Sequence, residues 1–282
     1  MPIQNEERLR PVSSRQNALV KDLRKAFSQA ELTRDGFMAV EGVRLIEEAI
    51  RSGLRFQAVF FSESGRAHST RLLPQIAGHA EALLLPDDVF AGAVATEKPQ
   101  GVAALVKPRA SRLEDILEGV DQVPDNALMI GLSGVQDPGN LGTVIRSAEA
   151  FAARAVLLGE NTVSQFNAKV IRASAGSVFR EPVVRSSLAE VLPALKEHGV
   201  RVLATSSHKG NPLDEADLSG PVAVLIGSEG AGLPQAILAQ ADTLISIPHS
   251  SKVESLNAGI AASIVLYEAA RQRKAGAPSA SA

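Results

Sequence analysis

The sequence predicts an α/β protein of two domains, and three observations carry that prediction. At 282 residues the chain is long for a single hydrophobic core. Short apolar runs alternate with segments of helical period in both halves, as in layered α/β folds. Between the halves, Lys107–Asn126 interrupts the alternation with Pro108, Pro124 and several charges around one short apolar patch, Leu113–Leu117. That stretch reads as an interdomain linker.

Taken in order, residues 1–12 read as irregular. Ser13 with Gln16 resembles a capping box, and Ala18, Leu19, Leu23 and Phe27 continue as an amphipathic helix to about Ala30. Strands follow at Phe37–Val40, Phe56–Phe61, Ala82–Leu85 and Gly101–Val106. Helices fall between them at Gly42–Ser52, Thr70–Ile76 and Asp87–Val94. Glu41 and Glu47 are read simply as solvated helix residues. From Ala127 the strands become more continuously apolar, as in a parallel sheet buried on both faces. They are expected at Ala127–Leu132, Ala155–Leu158, Val200–Ala204, Val222–Ile226 and Thr243–Ile245, with helices near Leu141–Ala152, Ala168–Ala175, Leu188–Glu197 and Pro234–Ala239. The expected domains are a basic helical extension (1–30), a small α/β domain (31–107), a linker (108–126), a parallel-sheet domain (127–274) and a disordered tail (275–282).

Composition narrows the function classes. Apolar residues make up 45% and charged residues 21%, ordinary values for a soluble globular chain. With no cysteine, thiolate catalysis, disulfides and cysteine-based metal sites are excluded. His68, His79, His198, His208 and His249 are scattered without metal-ligand spacing, so no metal is expected. No apolar run reaches membrane-helix length and the polar N-terminus is no signal peptide, which makes the cytoplasm the expected location. Net charge is −2, yet Arg8, Arg10, Arg15, Lys21, Arg24 and Lys25 are opposed locally by Asp22 alone. Such a run suits a patch that grips RNA phosphates, and equally a solvated helix face. Aromatic residues, at 4%, are too few for recognition by base stacking.

Ligands of open α/β sheets sit beyond the carboxyl ends of the strands, so three loops there carry the functional reading. The first, Gln136-Asp137-Pro138-Gly139-Asn140-Leu141, has a type II turn pattern, and Asn140 is placed to cap the next helix. Leu141, Val144, Ile145, Ala148 and Ala152 would form that helix's buried face. Arg146 then lies on another side, where it also suits a surface ion pair. The second loop, Gly227-Ser228-Glu229-Gly230-Ala231-Gly232-Leu233, has three glycines in six residues, enough to fold tightly against a ligand. It lacks the Lys-Ser/Thr of a phosphate loop and the G-x-G-x-x-G spacing of a dinucleotide fold. The Glu229 carboxylate favours a neutral or cationic ligand. The third stretch, Ile247–Arg271, opens polar and closes as a helix. Leu256, Ile260, Ile264 and Tyr267 share one helical face, with Ser255 where an N-cap would sit and Asn257 in the first turn. The small residues Ala258–Ser263 would let another backbone approach.

Together, DPGNLGTVIRSAEAF (137–151), LIGSEGAGL (225–233) and IPHSSKVESLNAGIAASIVLYEA (247–269) resemble the three motifs of the SpoU (TrmH-type) RNA ribose 2′-O-methyltransferases, in the right order over about 150 residues. MAVEGVRLIEEAI (38–50) and PQGVAAL (99–105) more loosely resemble the L30e-like substrate-binding domain found in rRNA-directed members. The resemblance implies a C-terminal parallel-sheet domain tied in a deep trefoil knot, S-adenosylmethionine held bent within it, and a homodimer pairing through the knotted region. Knot loops would be Thr205–Ser207, Gly227–Leu233 and Ile247–Asn257. Implied cofactor positions are Thr205 and Ser206 in the first, and Gly227, Ser228, Glu229, Gly230, Gly232 and Leu233 in the second. The third supplies Ile247, Pro248, Leu256 and Asn257. Implied catalytic positions are Asn140, Arg146, Glu229, Ser255 and Asn257. Asp137 stands where many relatives have Asn, and Ser147 where many have Thr.

The implied reaction aligns a ribose 2′-hydroxyl with a sulfonium methyl that is already electrophilic. Arg146 would either activate the hydroxyl or clamp the adjacent phosphate, and the clamp is the easier role for a guanidinium that holds its proton tightly. His249 is an alternative base, although its place between Pro248 and Ser250 suits a surface loop. The expected substrate is ribosomal RNA of the 23S type. A tRNA substrate and a non-catalytic RNA-binding protein on the same fold are the alternatives; the intact Asn140, Arg146, Glu229, Ser255 and Asn257 set argues against the second, since an inactive descendant should lose some of these.

Overall fold

The computed structural model describes residues 8–117, 127–207 and 209–276. Part of the expected irregular N-terminus (1–7), part of the expected linker (118–126) and most of the expected disordered tail lie outside them. The chain divides into two compact units, Met1–Arg109 with Ser164–Arg180, and Ala110–Val163 with Glu181–Ala282.

The first unit is built on five strands: β1 (Leu9–Pro11), β2 (Met38–Glu41), β3 (Arg55–Ser62), β4 (Glu81–Leu85) and β5 (Val102–Lys107), in the order β1-β4-β3-β5-β2. β1, β4 and β3 run parallel, while β5 is antiparallel to both β3 and β2. Strict alternation assigns the two faces, since successive strand residues point to opposite sides. Val40, Val59, Phe61, Ala104 and Val106 enter one apolar cluster, and Ala39, Ala58, Phe60, Ala103 and Leu105 the other. Helices α1 (Ala18–Gln29), α2 (Val43–Arg51), α3 (His68–Leu72) and α4 (Asp87–Ala91) cover these faces.

Two local expectations change here. The first helix is capped by Asn17, whose Oδ1 accepts from the Leu19 and Val20 N–H groups at 3.0 and 3.4 Å, not by a Ser13–Gln16 box. The helix expected over Thr70–Ile76 is α3 followed by a 3₁₀ turn at Leu73–Gln75, because Pro74 has no N–H to continue the ladder.

Ser164–Arg180 lies between strands of the second sheet in sequence, yet it completes the first unit's core. Ile171, on helix α7 (Ala168–Ala173), and Phe179 are each 1% exposed within the Val40 cluster. Polar bonds fix the segment: Ser164 Oγ donates to Ala30 O at 2.6 Å, and Arg180 Nη1 donates to Glu48 and Ser52, both at 3.0 Å. Arg172 donates to Thr96 Oγ1, which donates to the buried carboxylate of Glu41, each at 2.9 Å. Glu41 is therefore an internal acceptor at the end of β2, not a solvated helix residue.

The second unit holds a seven-stranded, wholly parallel sheet: β6 (Leu128–Leu132), β7 (Ala155–Leu158), β8 (Val183–Arg185), β9 (Arg201–Thr205), β10 (Asn211–Pro212), β11 (Val222–Ile226) and β12 (Thr243–Ser246). Their order is β10-β12-β9-β11-β6-β7-β8. Residues of β6, β7 and β11 are buried on both sides, which is why they read as continuous apolar runs. Helices α5 (Leu113–Leu117), α6 (Pro138–Ala150), α8 (Leu188–Glu197), α9 (Gln235–Leu238) and α10 (Ala258–Gly276) complete it. The Leu113–Leu117 patch of the expected linker is α5, with Ile116 and Leu117 in the core.

In α6, Leu141, Val144, Ile145 and Ala148 are buried as expected, but the helix ends at Ala150 and Ala152 is exposed with φ +53°. The buried face of α10 is Ala258, Ala262, Val265, Leu266 and Ala269. Ile260 and Tyr267, from the apolar face read in the sequence, are 53% and 56% exposed. Among the described residues, no helix is long and apolar enough to cross a membrane.

Candidate active site

The loops after β6, β11 and β12 meet at one point. Asp137 is the N-cap of α6: its Oδ1 accepts from Asn140 N at 2.8 Å, and Pro138 occupies the first helical position, where no N–H is needed. The Asp-Pro-Gly-Asn segment is thus a helix start and not a type II turn. Asn140, one turn in, is not the cap, and its amide is free to act elsewhere.

In the second loop, Ser228 and Gly232 pair as a tight antiparallel bridge, with N···O distances of 3.2 and 2.9 Å. This folds the loop back on Gly227, where a Cβ would overlap the backbone of Gly232, and Gly232 itself has φ +66°. The fold-back presents Glu229. Its Oε1 accepts from Asn140 Nδ2 at 2.8 Å, from Asn257 Nδ2 at 2.8 Å and from the Ala258 N–H at 3.1 Å. Asn257 Nδ2 also donates to Asn140 Oδ1 at 2.8 Å, closing a triangle of three side chains from three loops. Asn257 Oδ1 accepts from Ile260 N at 3.1 Å, so Asn257 is the N-cap of α10 in place of Ser255. Glu229 satisfies a second N–H of that helix mouth, where a negative charge is favoured.

Beside the triangle lies a cavity of about 730 Å³ beyond the ends of β9, β11 and β12. Its walls include Thr205 and Ser206, the loop residues Gly227, Ser228, Glu229, Gly230, Gly232 and Leu233, and Ile247, Ser255 and Leu256. Pro248 is not among its walls, and Asn257 faces Glu229 and Asn140. The cavity's other carboxylate, Asp242, accepts from Lys196 Nζ at 2.6 Å and Val202 N at 2.7 Å. Desolvation pushes its carboxyl up, but those two donors outweigh it and hold it below the ordinary carboxylate range. The lining fits a nucleoside carrying a positive centre: apolar walls, exposed backbone groups at the glycine loop, and the carboxylates of Glu229 and Asp242 against one lysine, Lys209. Among the described residues no group of three His, Asp or Glu side chains gathers as a metal site.

Arg146 is exposed on α6 and has no polar partner among the described residues. His249 is half-buried, with Nδ1 2.7 Å from Ile247 O. The basic N-terminal run belongs to the first unit, where half of it is engaged locally. Arg8 donates to the carbonyls of Leu73, Ile76 and Ala77, where it closes the turn after α3. Arg10 pairs with Glu81 at 2.5 Å and Arg15 with Asp88 at 2.7 Å. Lys21, Arg24 and Lys25 remain exposed on α1.

Residues 127–267 match the sequence profile of the SpoU rRNA Methylase family, and the chain is 33% identical to the 23S rRNA (guanosine(2553)-2'-O)-methyltransferase RlmP of Bacillus subtilis over 92% of its own length and 98% of that protein's. The chain belongs to the SpoU rRNA methylase family. Residues 17–104 match an MRM3-like substrate binding domain, which meets the expectation of a small substrate-binding domain before the SpoU domain. An AdoMet-bound rRNA methyltransferase from Sinorhizobium meliloti superimposes with a TM-score of 0.79 at 30% identity, covering 94% of this chain and 98% of that one. The SpoU methyltransferase AviRb from Streptomyces viridochromogenes, in complex with AdoMet, also gives 0.79, at 28% identity over 93% of this chain and all of that one.

Within this SpoU fold, two features of the site escaped the sequence reading. The Asp137 cap was legible in principle, since Asp followed by Pro marks a helix start as well as a turn. A seam of hydroxyls between α6 and α10 had no sequence signal: Ser147 Oγ and Ser263 Oγ are 2.7 Å apart.

Proposed function

We propose that the protein transfers a methyl group from S-adenosylmethionine to a ribose 2′-oxygen of ribosomal RNA, of the 23S type, in the cytoplasm. The observation that carries this reading is the Asn140–Glu229–Asn257 triangle beside the cavity, with Arg146 free on the same helix as Asn140. When bound, S-adenosylmethionine supplies a methyl already activated by its sulfonium charge. The chain's own residues then hold and orient. Thr205, Ser206, the glycine loop, Ile247 and Leu256 enclose the cofactor; Glu229 and Asn257 lock the glycine loop to α10; Pro248 and Ser255 support the third loop. Arg146, six residues beyond Asn140, clamps the phosphate next to the target ribose and so aligns the 2′-hydroxyl. The segments after β9, β11 and β12 form the trefoil knot.

The protein works as a homodimer. Ile260 and Tyr267 are large apolar side chains exposed on α10, and Tyr267 stacks edge-on against Phe151 at 5.9 Å, a patch suited to a second copy. The exposed cations of α1, Lys21, Arg24 and Lys25, add RNA phosphate contacts.

Methyl transfer from radiolabelled S-adenosylmethionine to rRNA and tRNA, both from a strain lacking the gene, tests the reading. Label should enter rRNA and disappear with Arg146→Ala. Label entering tRNA instead would reassign the substrate, and near-normal turnover in Arg146→Ala would remove the role given to that arginine.

A further inference from the structure

We propose that the seam Ser147–Ser263–Gly259 between α6 and α10 is a positioning device, which holds Asn140 and Arg146 in register with Asn257 and Glu229. The proposal rests on the methyltransferase reading above and concerns residues outside the three loops that build the site.

The two helices run side by side in the same direction, because their contacts advance together: Asn140 with Asn257, Ser147 with Ser263, then Phe151 with Tyr267. At about 1.5 Å per residue, the step from the first pair to the second is roughly 10 Å on α6 and roughly 9 Å on α10. Ser263 Oγ donates to Gly259 O at 2.7 Å. Its single proton is thereby used, so Ser147 is the donor of the 2.7 Å bond across the seam. Gly259 sets how closely the helices approach. A Cβ there would lie 3.2 Å from Thr143 Cβ and 3.4 Å from Asn140 Cα, so α6 and α10 are already close to the limit that a side chain at this position would allow.

The seam supplies something the apolar face of α6 does not. Leu141, Val144, Ile145 and Ala148 hold α6 down on the sheet, but apolar contact is non-directional and tolerates a small slide or roll. A hydroxyl bond fixes register through its distance and angle. Arg146 has no polar anchor of its own among the described residues, so the backbone of α6 aims it, and the neighbouring Ser147 holds that backbone.

The test compares Ser147→Ala, Ser147→Thr, Ser263→Ala and the double alanine variant in the full chain. Four readouts are taken: kcat and KM for rRNA methylation, Kd for S-adenosylhomocysteine by calorimetry, Tm, and amide hydrogen exchange at Ala258 and Ile260. Both alanine variants should lower kcat about ten-fold with Kd changed less than about two-fold. Exchange at Ala258 and Ile260 should quicken, the double variant should be no worse than Ser263→Ala, and Ser147→Thr, which keeps the hydroxyl, should restore kcat. Unchanged kcat with unchanged exchange overturns the proposal. So does a Thr variant that behaves like Ala, or a loss confined to Tm, which would make the seam simple packing. If the wild type binds S-adenosylhomocysteine but methylates no RNA, the functional reading fails by itself, and the amide exchange still decides whether the seam sets the helix mouth.

Discussion

Glu229 is one acceptor oxygen shared by three donors, two side-chain amides and the Ala258 N–H at the mouth of α10. Removing it strands those donors together, so Glu229→Ala should lower stability by about 1–2 kcal/mol, the size of a lost helix cap. It should also weaken S-adenosylhomocysteine binding, and urea titration with calorimetry reads both effects. Glu181 makes a different residue-scale prediction. Burial, with the nearby Glu149 carboxylate adding to it, raises its carboxyl to about 8 from the ordinary 4.5, and its Oε1 has no hydrogen-bond partner. Between those two values the unfolded chain gives up a proton that the folded chain keeps, so stability falls as pH rises from about 4.5 to about 8. Glu181→Gln should flatten that part of the Tm–pH curve and raise Tm at neutral pH. A parallel curve for the variant would show that Glu181 ionises normally in the folded protein.

At the scale of elements, the glycine loop depends on backbone passing where a side chain cannot. Gly227→Ala would drive a methyl into the backbone of Gly232, so the Ser228–Gly232 bridge should open and cofactor binding should be lost. Calorimetry with S-adenosylhomocysteine checks this, and retained affinity would mean the loop adapts. Element legibility follows the same physics. In the second sheet β6, β7 and β11 are legible because burial on both faces demands unbroken apolar runs. β1, β8 and β10 are not, since three, three and two residues cannot display a period. On α10 apolar residues occur around the whole helix: Ile260 and Tyr267 point out while Ala262 and Leu266 point in. Periodicity cannot choose a face on such a helix. The loop residues were legible through their motifs, but their bonding was not: which of Asp137, Asn140, Ser255 and Asn257 caps a helix depends on where the helix starts, to within a residue.

At the scale of the molecule, a linear division into successive domains misses Ser164–Arg180. Nothing in that segment marks it as belonging with the residues before the linker, because its partners, Ala30, Glu48, Ser52 and Thr96, are distant in sequence. Its energetic weight is large. Phe179 and Ile171 are almost wholly buried in the first unit's core, so Phe179→Ala should destabilise that unit by about 3–5 kcal/mol although the residue falls within the SpoU-matched region. A fragment of residues 8–109 should correspondingly lack a cooperative thermal transition. A sharp two-state melt of that fragment would show the segment to be dispensable.

The same segment sets an order of events during synthesis. The first unit's core contains Ile171 and Phe179, so it is incomplete when its last strand, Val102–Lys107, leaves the ribosome. It stays incomplete until Arg180 has emerged, by which time Leu128–Leu132 and Ala155–Leu158 have also emerged and are waiting for strands still to come. For that interval the nascent chain carries two unfinished apolar sheets at once. Chaperone occupancy on the growing polypeptide should therefore be highest between the linker and Arg180.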